Sequence, residues 1–175
     1  DLYVTEIGEF DKDGDGKVSV IKGGKATPFA TGLDDPKGIV FFDKSFYVTD
    51  KTKVLRVDAA GRLTHVAGSG KVGASGYGGP ARAADFNGPH NLAVLPDGKV
   101  LIGDTWNGHV RKVDVKSGTV STVAGWGVGG PKAKGSGPYC ITLDFTGTKL
   151  YIADLTRVHV LDLVTGKARV VAGNG

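Results

Sequence analysis

Three stretches of this chain are imperfect copies of one another, and that repetition narrows the possible folds more than any other feature. They run DPKGIVFFDKSFYVTDKTKVLRVDAAGRLTHVAG from Asp35, GPHNLAVLPDGKVLIGDTWNGHVRKVDVKSGTVSTVAG from Gly88 and GPYCITLDFTGTKLYIADLTRVHVLDLVTGKARVVAG from Gly137. Pro36, Pro89 and Pro138 recur at spacings of 53 and 49 residues, and Asp50, Asp104 and Asp154 at 54 and 50. A truncated fourth copy opens the chain at Leu2, with Glu6 in the place of the recurring aspartate. A fixed period of about 50 residues means units that bury their faces against their neighbours.

Within each unit lie four short β-rich runs. In the second full copy they are Leu92–Leu95, Val100–Asp104, His109–Asp114 and Thr119–Ala124, separated by PDGK, TWNG and KSGT. Gly in such turns supplies positive φ, and Asp and Asn side chains bond the local backbone. The chain holds 29 glycines in 175 residues without a collagen-like period, and no run carries helical apolar spacing. Four antiparallel strands per unit make a propeller blade, so the expected fold is all-β. The expected units are a partial blade over 1–32 and full blades over 33–68, 86–125 and 137–175.

The pattern Gly-Pro-x-x-Leu-Ala-Val-x-Pro-Asp-Gly, then Leu-Ile-Gly-Asp-Thr-x-Asn, then Val-Arg-Lys-Val-Asp resembles the NHL repeat, as does the preceding GYGGPARAADFNGP. The first third, with FATGLDDPKG and YVTDKTKV, is also similar to gluconolactonase-like six-bladed propellers. The resemblance implies a β-propeller in which about three and a half blades of a six-bladed ring are present. The opening copy lacks its innermost strand. The expected partners are therefore the remaining blades of a larger chain, or a second copy that closes the ring. An opening Asp1 and the absence of Met fit a mature or excised piece.

Composition excludes some classes. No apolar run approaches the roughly 20 residues of a membrane helix, and the single Cys140 can form neither an intrachain disulfide nor a zinc cluster. The net charge of +4 comes from basic residues scattered through the chain, so nucleic acid is not the expected partner. By analogy with exported propellers of this kind, the expected location is secreted or periplasmic.

In the implied arrangement the blade-to-blade loops and the loops between second and third strands share one face, where the candidate site residues gather. His90-Asn91 stands where an inner strand begins at the channel mouth, and neutral imidazole suits zinc-like ions. A Pro-His pair at this place is similar to that of peptidyl-hydroxyglycine lyase propellers, and Asn there could serve calcium in gluconolactonase-like ones. Alternatively, His90 bonds neighbouring carbonyls. Were the chain catalytic, Lys37, Tyr139 and Arg157 would stabilise developing charge beside His90. Asp11, Asp13 and Asp15 in DKDGDG, continued by the Lys17 carbonyl and the Ser19 hydroxyl, could wrap Ca2+. Position twelve of that loop is Lys22, not the Glu of an EF-hand, and a solvated acidic turn is the alternative reading. Trp106, Trp126 and the neighbouring Asn107 could line a ligand site, with Tyr77 and Tyr139 nearby; the tryptophans could equally cover gaps between blades.

The recurring Asp50, Asp104 and Asp154 read as structural, each accepting backbone N–H bonds in the turn that follows. Asp58, Asp114 and Asp162 read the same way on the opposite face. His65, His109 and His159 read as surface or blade-packing residues. GSGKVG in the Gly68–Gly79 loop matches GxGxxG formally, but no helix follows, so it is not a dinucleotide site. Two functions are expected. The first is a recognition module binding a protein, peptide or small-molecule ligand at the channel face. The alternative is a metal-dependent lactonase or lyase, in which the metal would polarise a carbonyl or acidify water.

Overall fold

The computed structural model describes residues 1–9, 11–123 and 137–174. Within them fifteen strands form four antiparallel sheets, in chain order. The first sheet has three strands: β1 (Leu2–Glu6), β2 (Gly16–Lys22) and β3 (Lys25–Leu33). The second is β4 (Pro36–Phe42), β5 (Ser45–Asp50), β6 (Lys53–Val57) and β7 (Leu63–Ala67). The third is β8 (Pro89–Val94), β9 (Val100–Asp104), β10 (His109–Asp114) and β11 (Thr119–Thr122). The fourth is β12 (Cys140–Leu143), β13 (Lys149–Ala153), β14 (Val158–Asp162) and β15 (Ala168–Ala172). The only helical pieces among the described residues are single 3-10 turns at Ala81–Ala83 and Thr105–Asn107.

Each sheet is a blade, and the blades stack through their faces. Side chains alternate across a strand, so one strand feeds two cores. In β9, Val100 and Ile102 join Tyr47, Val54 and Phe86 against the second blade. Leu101, between them, joins Ile141, Leu150 and Leu161 against the fourth. Burial on both sides explains why β9 reads as a nearly unbroken apolar run. A third core, with Val18, Leu33, Val48 and Val57, joins the opening sheet to the second blade.

The inner strands β4, β8 and β12 come close together. A Cβ built at Gly38 would lie 2.8 Å from the Asn91 Cα, and one at Gly103 would lie 2.7 Å from the Pro138 carbonyl oxygen. Only glycine admits approaches of that kind. The chain is therefore all-β, a propeller segment of about three and a half blades.

The Gly68–Gly88 connection is not a plain surface loop. Gly78 donates to the Val120 carbonyl, and Val120 donates to that of Gly79, so this segment caps the outer edge of the third blade. It also sends Ala81, Ala84 and Phe86 into the core. Covering an edge strand in this way removes its free pairing groups.

Candidate functional site

β8 leaves its loop at Pro89, and the next residue, His90, is fixed by two contacts. Its Nδ1 lies 2.7 Å from the Gly88 carbonyl oxygen and 3.0 Å from Thr105 Oγ1. A carbonyl only accepts, so Nδ1 carries a proton, and in that tautomer of the uncharged ring Nε2 is the nitrogen left with a lone pair. The buried Thr105 hydroxyl donates to the Pro138 carbonyl oxygen at 2.9 Å and so ties this site to the fourth blade.

Trp106 and Tyr139 close around His90. Ring centroids are 5.1 Å apart for His90 and Tyr139, 5.4 Å for Trp106 and Tyr139 and 5.5 Å for His90 and Trp106. These are ordinary tilted and edge-to-face aromatic contacts. Trp106 packs over Gly88, where a Cβ would lie 2.2 Å from its Cδ1, yet 55% of the residue stays exposed. Among the described residues, His90 Nε2, Trp106 Nε1 and the Tyr139 hydroxyl make no hydrogen bond. Three segments thus form an aromatic niche with three open polar tips. Trp126, expected on the same face, lies outside the described residues.

Behind the niche the recurring aspartates hold loops in place. Asp104 Oδ1 accepts the Asn87 N–H, and Oδ2 accepts Asn107 Nδ2, each at 2.8 Å. Asp104 Oδ2 is also 3.6 Å from Arg111, with both side chains fully buried. Burial raises the Asp104 pKa to about 6, against its hydrogen bonds and the guanidinium charge. The Arg111 nitrogens make no hydrogen bond among the described residues. The guanidinium instead lies 4.4 Å from the Tyr77 ring centroid and 5.5 Å from that of Phe86, within cation–π reach.

Asp50 Oδ1 accepts the Asp34 and Asp35 N–H groups, and Asp154 Oδ1 accepts those of Thr156 and Arg157. All three aspartates thus hold backbone N–H groups. The following turn is the partner only for Asp154; Asp50 and Asp104 grip the loop that enters their own blade. Asp58, Asp114 and Asp162 do organise the turns they open, each accepting two backbone N–H groups.

Several candidates have other work. Asn91 Oδ1 accepts the Ile141 N–H at 3.1 Å, bridging two blades. Asn107 Nδ2 also donates to the Gly73 carbonyl at 2.7 Å, which makes the side chain a strut between two segments. Lys37 pairs with Asp35, and the Arg157 guanidinium reaches the Asn174 carbonyl at 3.5 Å. Tyr77 stands apart from the niche, its hydroxyl 3.1 Å from His109 Nδ1. His159 is buried, not on the surface, with Nε2 3.1 Å from Asp154 Oδ2.

The acidic loop also differs from the calcium pattern. β2 starts at Gly16, so Lys17 and Ser19 are strand residues, and both side chains bind Glu6. Asp13 pairs with Lys51 at 2.6 Å. Asp15 accepts the Glu9 N–H at 3.1 Å and lies 3.5 Å from Lys12. Asp11 adopts a left-handed turn conformation with φ 62°. Lysines thus occupy positions around these carboxylates, and among the described residues no three acidic, His or Cys side chains form a metal-binding group.

Sequence reading missed Thr105 and Arg111. Arg111 takes the place of Leu55 and His159 in the other blades, and that swap of a cation for leucine was the available signal.

An NHL-repeat family model matches residues 86–113, the segment that carries His90, Asp104, Trp106 and Arg111. No curated protein matches the chain. Among solved structures it is similar to a chain of the nidogen/laminin complex, with TM-score 0.65 and 15% identity over 93% of this chain and 60% of that one. It is similar to regucalcin, a calcium-binding protein from Agrobacterium tumefaciens, with TM-score 0.59 and 16% identity over 89% and 48%. It is also similar to virginiamycin B lyase from Staphylococcus aureus, with TM-score 0.53 and 19% identity over 80% and 42%. The chain spans less than two thirds of each, and these likenesses show the fold alone. No helix among the described residues is long and apolar enough to cross a membrane. The chain thus carries an NHL repeat over residues 86–113 within a β-propeller fold.

Proposed function

We propose that the chain is a recognition module that binds a protein, peptide or small-molecule ligand at its channel face, in the niche of His90, Trp106 and Tyr139. The observation that carries this reading is an exposed tryptophan packed over Gly88, whose own Nε1, together with His90 Nε2 and the Tyr139 hydroxyl, no described residue uses. An aromatic wall with an acceptor at His90 Nε2 and a donor at Trp106 Nε1 gives apolar contact and direction together. Similarity to a chain of a protein–protein complex, nidogen/laminin, supports a protein or peptide ligand. The test is a screen of peptide and glycan collections against the chain, with Trp106→Ala and His90→Ala as paired controls. A ligand that weakens about tenfold or more with Trp106→Ala supports the reading. Ligands that bind both variants as tightly as the parent would place recognition elsewhere.

The free Nε2 also favours a second reading, a metal-assisted lyase or lactonase, with virginiamycin B lyase among the similar structures. One imidazole is too few for a metal centre, and among the described residues no three His, Cys, Asp or Glu side chains gather into a metal-binding group. A metal here would need ligands from outside them. Native mass spectrometry before and after chelation, with His90→Ala alongside, separates the readings. A chelatable divalent ion lost with His90 favours catalysis.

A further inference from the structure

The second and third blades are both complete, and between them lies a cleft of about 660 Å3. β9 leaves this cleft just after Lys99 and reaches the niche at Asp104, so the two places lie at opposite ends of one strand. Two polar side chains that line the cleft are more than nine-tenths buried: Ser45, 5% exposed, and Tyr47, 7%. Buried hydroxyls are normally paired, yet among the described residues neither of these makes a hydrogen bond. Neither is among the side-chain oxygens sealed off without a partner, so each opens on the cleft that both residues line. In the matching cleft between the third and fourth blades, Leu101 stands in the place of Tyr47, three residues before the recurring aspartate. The fourth blade repeats the tyrosine at Tyr151, 38% exposed, where no described blade follows. Five residues before that aspartate the third and fourth blades have Lys99 and Lys149, and the second has Ser45. A short side chain thus makes room where the other blades carry a long one.

From this we infer a second binding site, independent of the channel face: the cleft between the second and third blades takes an uncharged polyhydroxylated ligand, a mono- or disaccharide unit. Its charges balance, with Asp43, Asp97 and Asp114 against Arg56, Lys99 and Lys116. A phosphate or other polyanion would meet as much repulsion as attraction there. Lys99 is already paired with Asp97, and Asp114 holds the backbone N–H groups of Lys116 and Ser117. Asp43 and Arg56 make no ion pair or hydrogen bond among the described residues. The cleft therefore leaves open two hydroxyls that donate and accept, a carboxylate that only accepts and a guanidinium that only donates. A sugar hydroxyl both donates and accepts, so it can meet any of them. Phe42 supplies apolar surface for the C–H face of a sugar ring. It also spans the blades, since a Cβ at Gly98 would lie 3.6 Å from its Cε1. The volume lies within the roughly 300–1,000 Å3 of small-molecule sites.

The probes are methyl α-glucoside, methyl α-galactoside and methyl α-mannoside, each titrated into the isotope-labelled 175-residue protein and followed by NMR. At least one should bind saturably with a Kd of about 1 mM or tighter, shifting the amide signals of Ser45, Tyr47, Gly98 and Val115. Tyr47→Phe removes only the hydroxyl and should weaken that binding about fivefold or more. Its thermal unfolding midpoint should stay unchanged, because the oxygen has no protein partner to lose. Ser45→Lys, which installs the residue type of the other blades, should abolish binding. Arg56→Gln should weaken it. Lys112→Gln should not, although Lys112 stands opposite Leu101 as Arg56 stands opposite Tyr47. The inference is overturned if none of these glycosides binds, if the shifts gather at Trp106 and Tyr139, or if Tyr47→Phe binds as the parent does. Binding of glycine or inorganic phosphate in the cleft, with no glycoside bound, would overturn the saccharide assignment as well. Trp106→Ala should leave this binding unchanged, which separates its failure from that of the channel-face reading.

Discussion

The buried Asp104–Arg111 pair shows how one substitution within a repeat changes local chemistry. In the second blade the corresponding partners are Asp50 and Leu55, a buried carboxylate with no guanidinium beside it. Burial raises the pKa of both aspartates, and at Asp104 the Arg111 charge opposes the rise. A carboxyl whose folded pKa exceeds its unfolded value binds more protons in the native state. Asp104 therefore costs stability progressively as pH rises from about 4 to about 6. Removing Arg111 should extend that window upward. Arg111→Leu is expected to destabilise by roughly 3 kcal/mol at pH 8 and by clearly less at pH 5. Urea unfolding at both pH values checks it, and a penalty independent of pH would show that Asp104 does not feel the guanidinium. At the niche, Thr105→Val removes the hydroxyl that joins His90 to Pro138. Its expected signature is a shifted His90 imidazole signal in NMR with the blade fold intact.

The Gly68–Gly88 strap and the inner strands set how blades meet. Phe86 leaves the strap to lie fully buried between the second and third blades, beside Arg111. Phe86→Ala should cost about 3–5 kcal/mol by thermal or urea unfolding. A loss below 1 kcal/mol would mean that the strap is a surface loop after all. On the inner face, Gly38→Val would push a side chain into the backbone of His90 and Asn91. That overpacking should cost about 1–3 kcal/mol and disturb the niche one blade away. Unchanged stability and unchanged Trp106 fluorescence would show that the inner strands have room for a side chain at Gly38.

Among the described residues the main contacts between blades join sequence neighbours, so stability should be graded rather than uniform. β9 is buried at every residue, whereas four of the five residues of β15 are exposed. Hydrogen exchange should therefore be slowest in β5 and β9 and fastest, among strands, in β1 and β15. Equal protection throughout would indicate that the two end blades are covered in solution.

Repeat period, four-strand units, turn positions and the structural role of the recurring aspartates were all legible in the sequence. They depend on residues a few positions apart, whose spacing and turn chemistry act locally. The contacts that make or unmake a site are of another kind. His90 was visible as a candidate, but its tautomer depends on Gly88 and Thr105, and Thr105 in turn on Pro138. Asp13, a candidate calcium ligand in the sequence, meets Lys51, thirty-eight residues on. Asn107 Nδ2 reaches the carbonyl of Gly73, thirty-four residues back. Strand spacing is written along the chain. Which side chain reaches which partner across a blade interface is decided by packing, and packing exists only once the sheets have stacked.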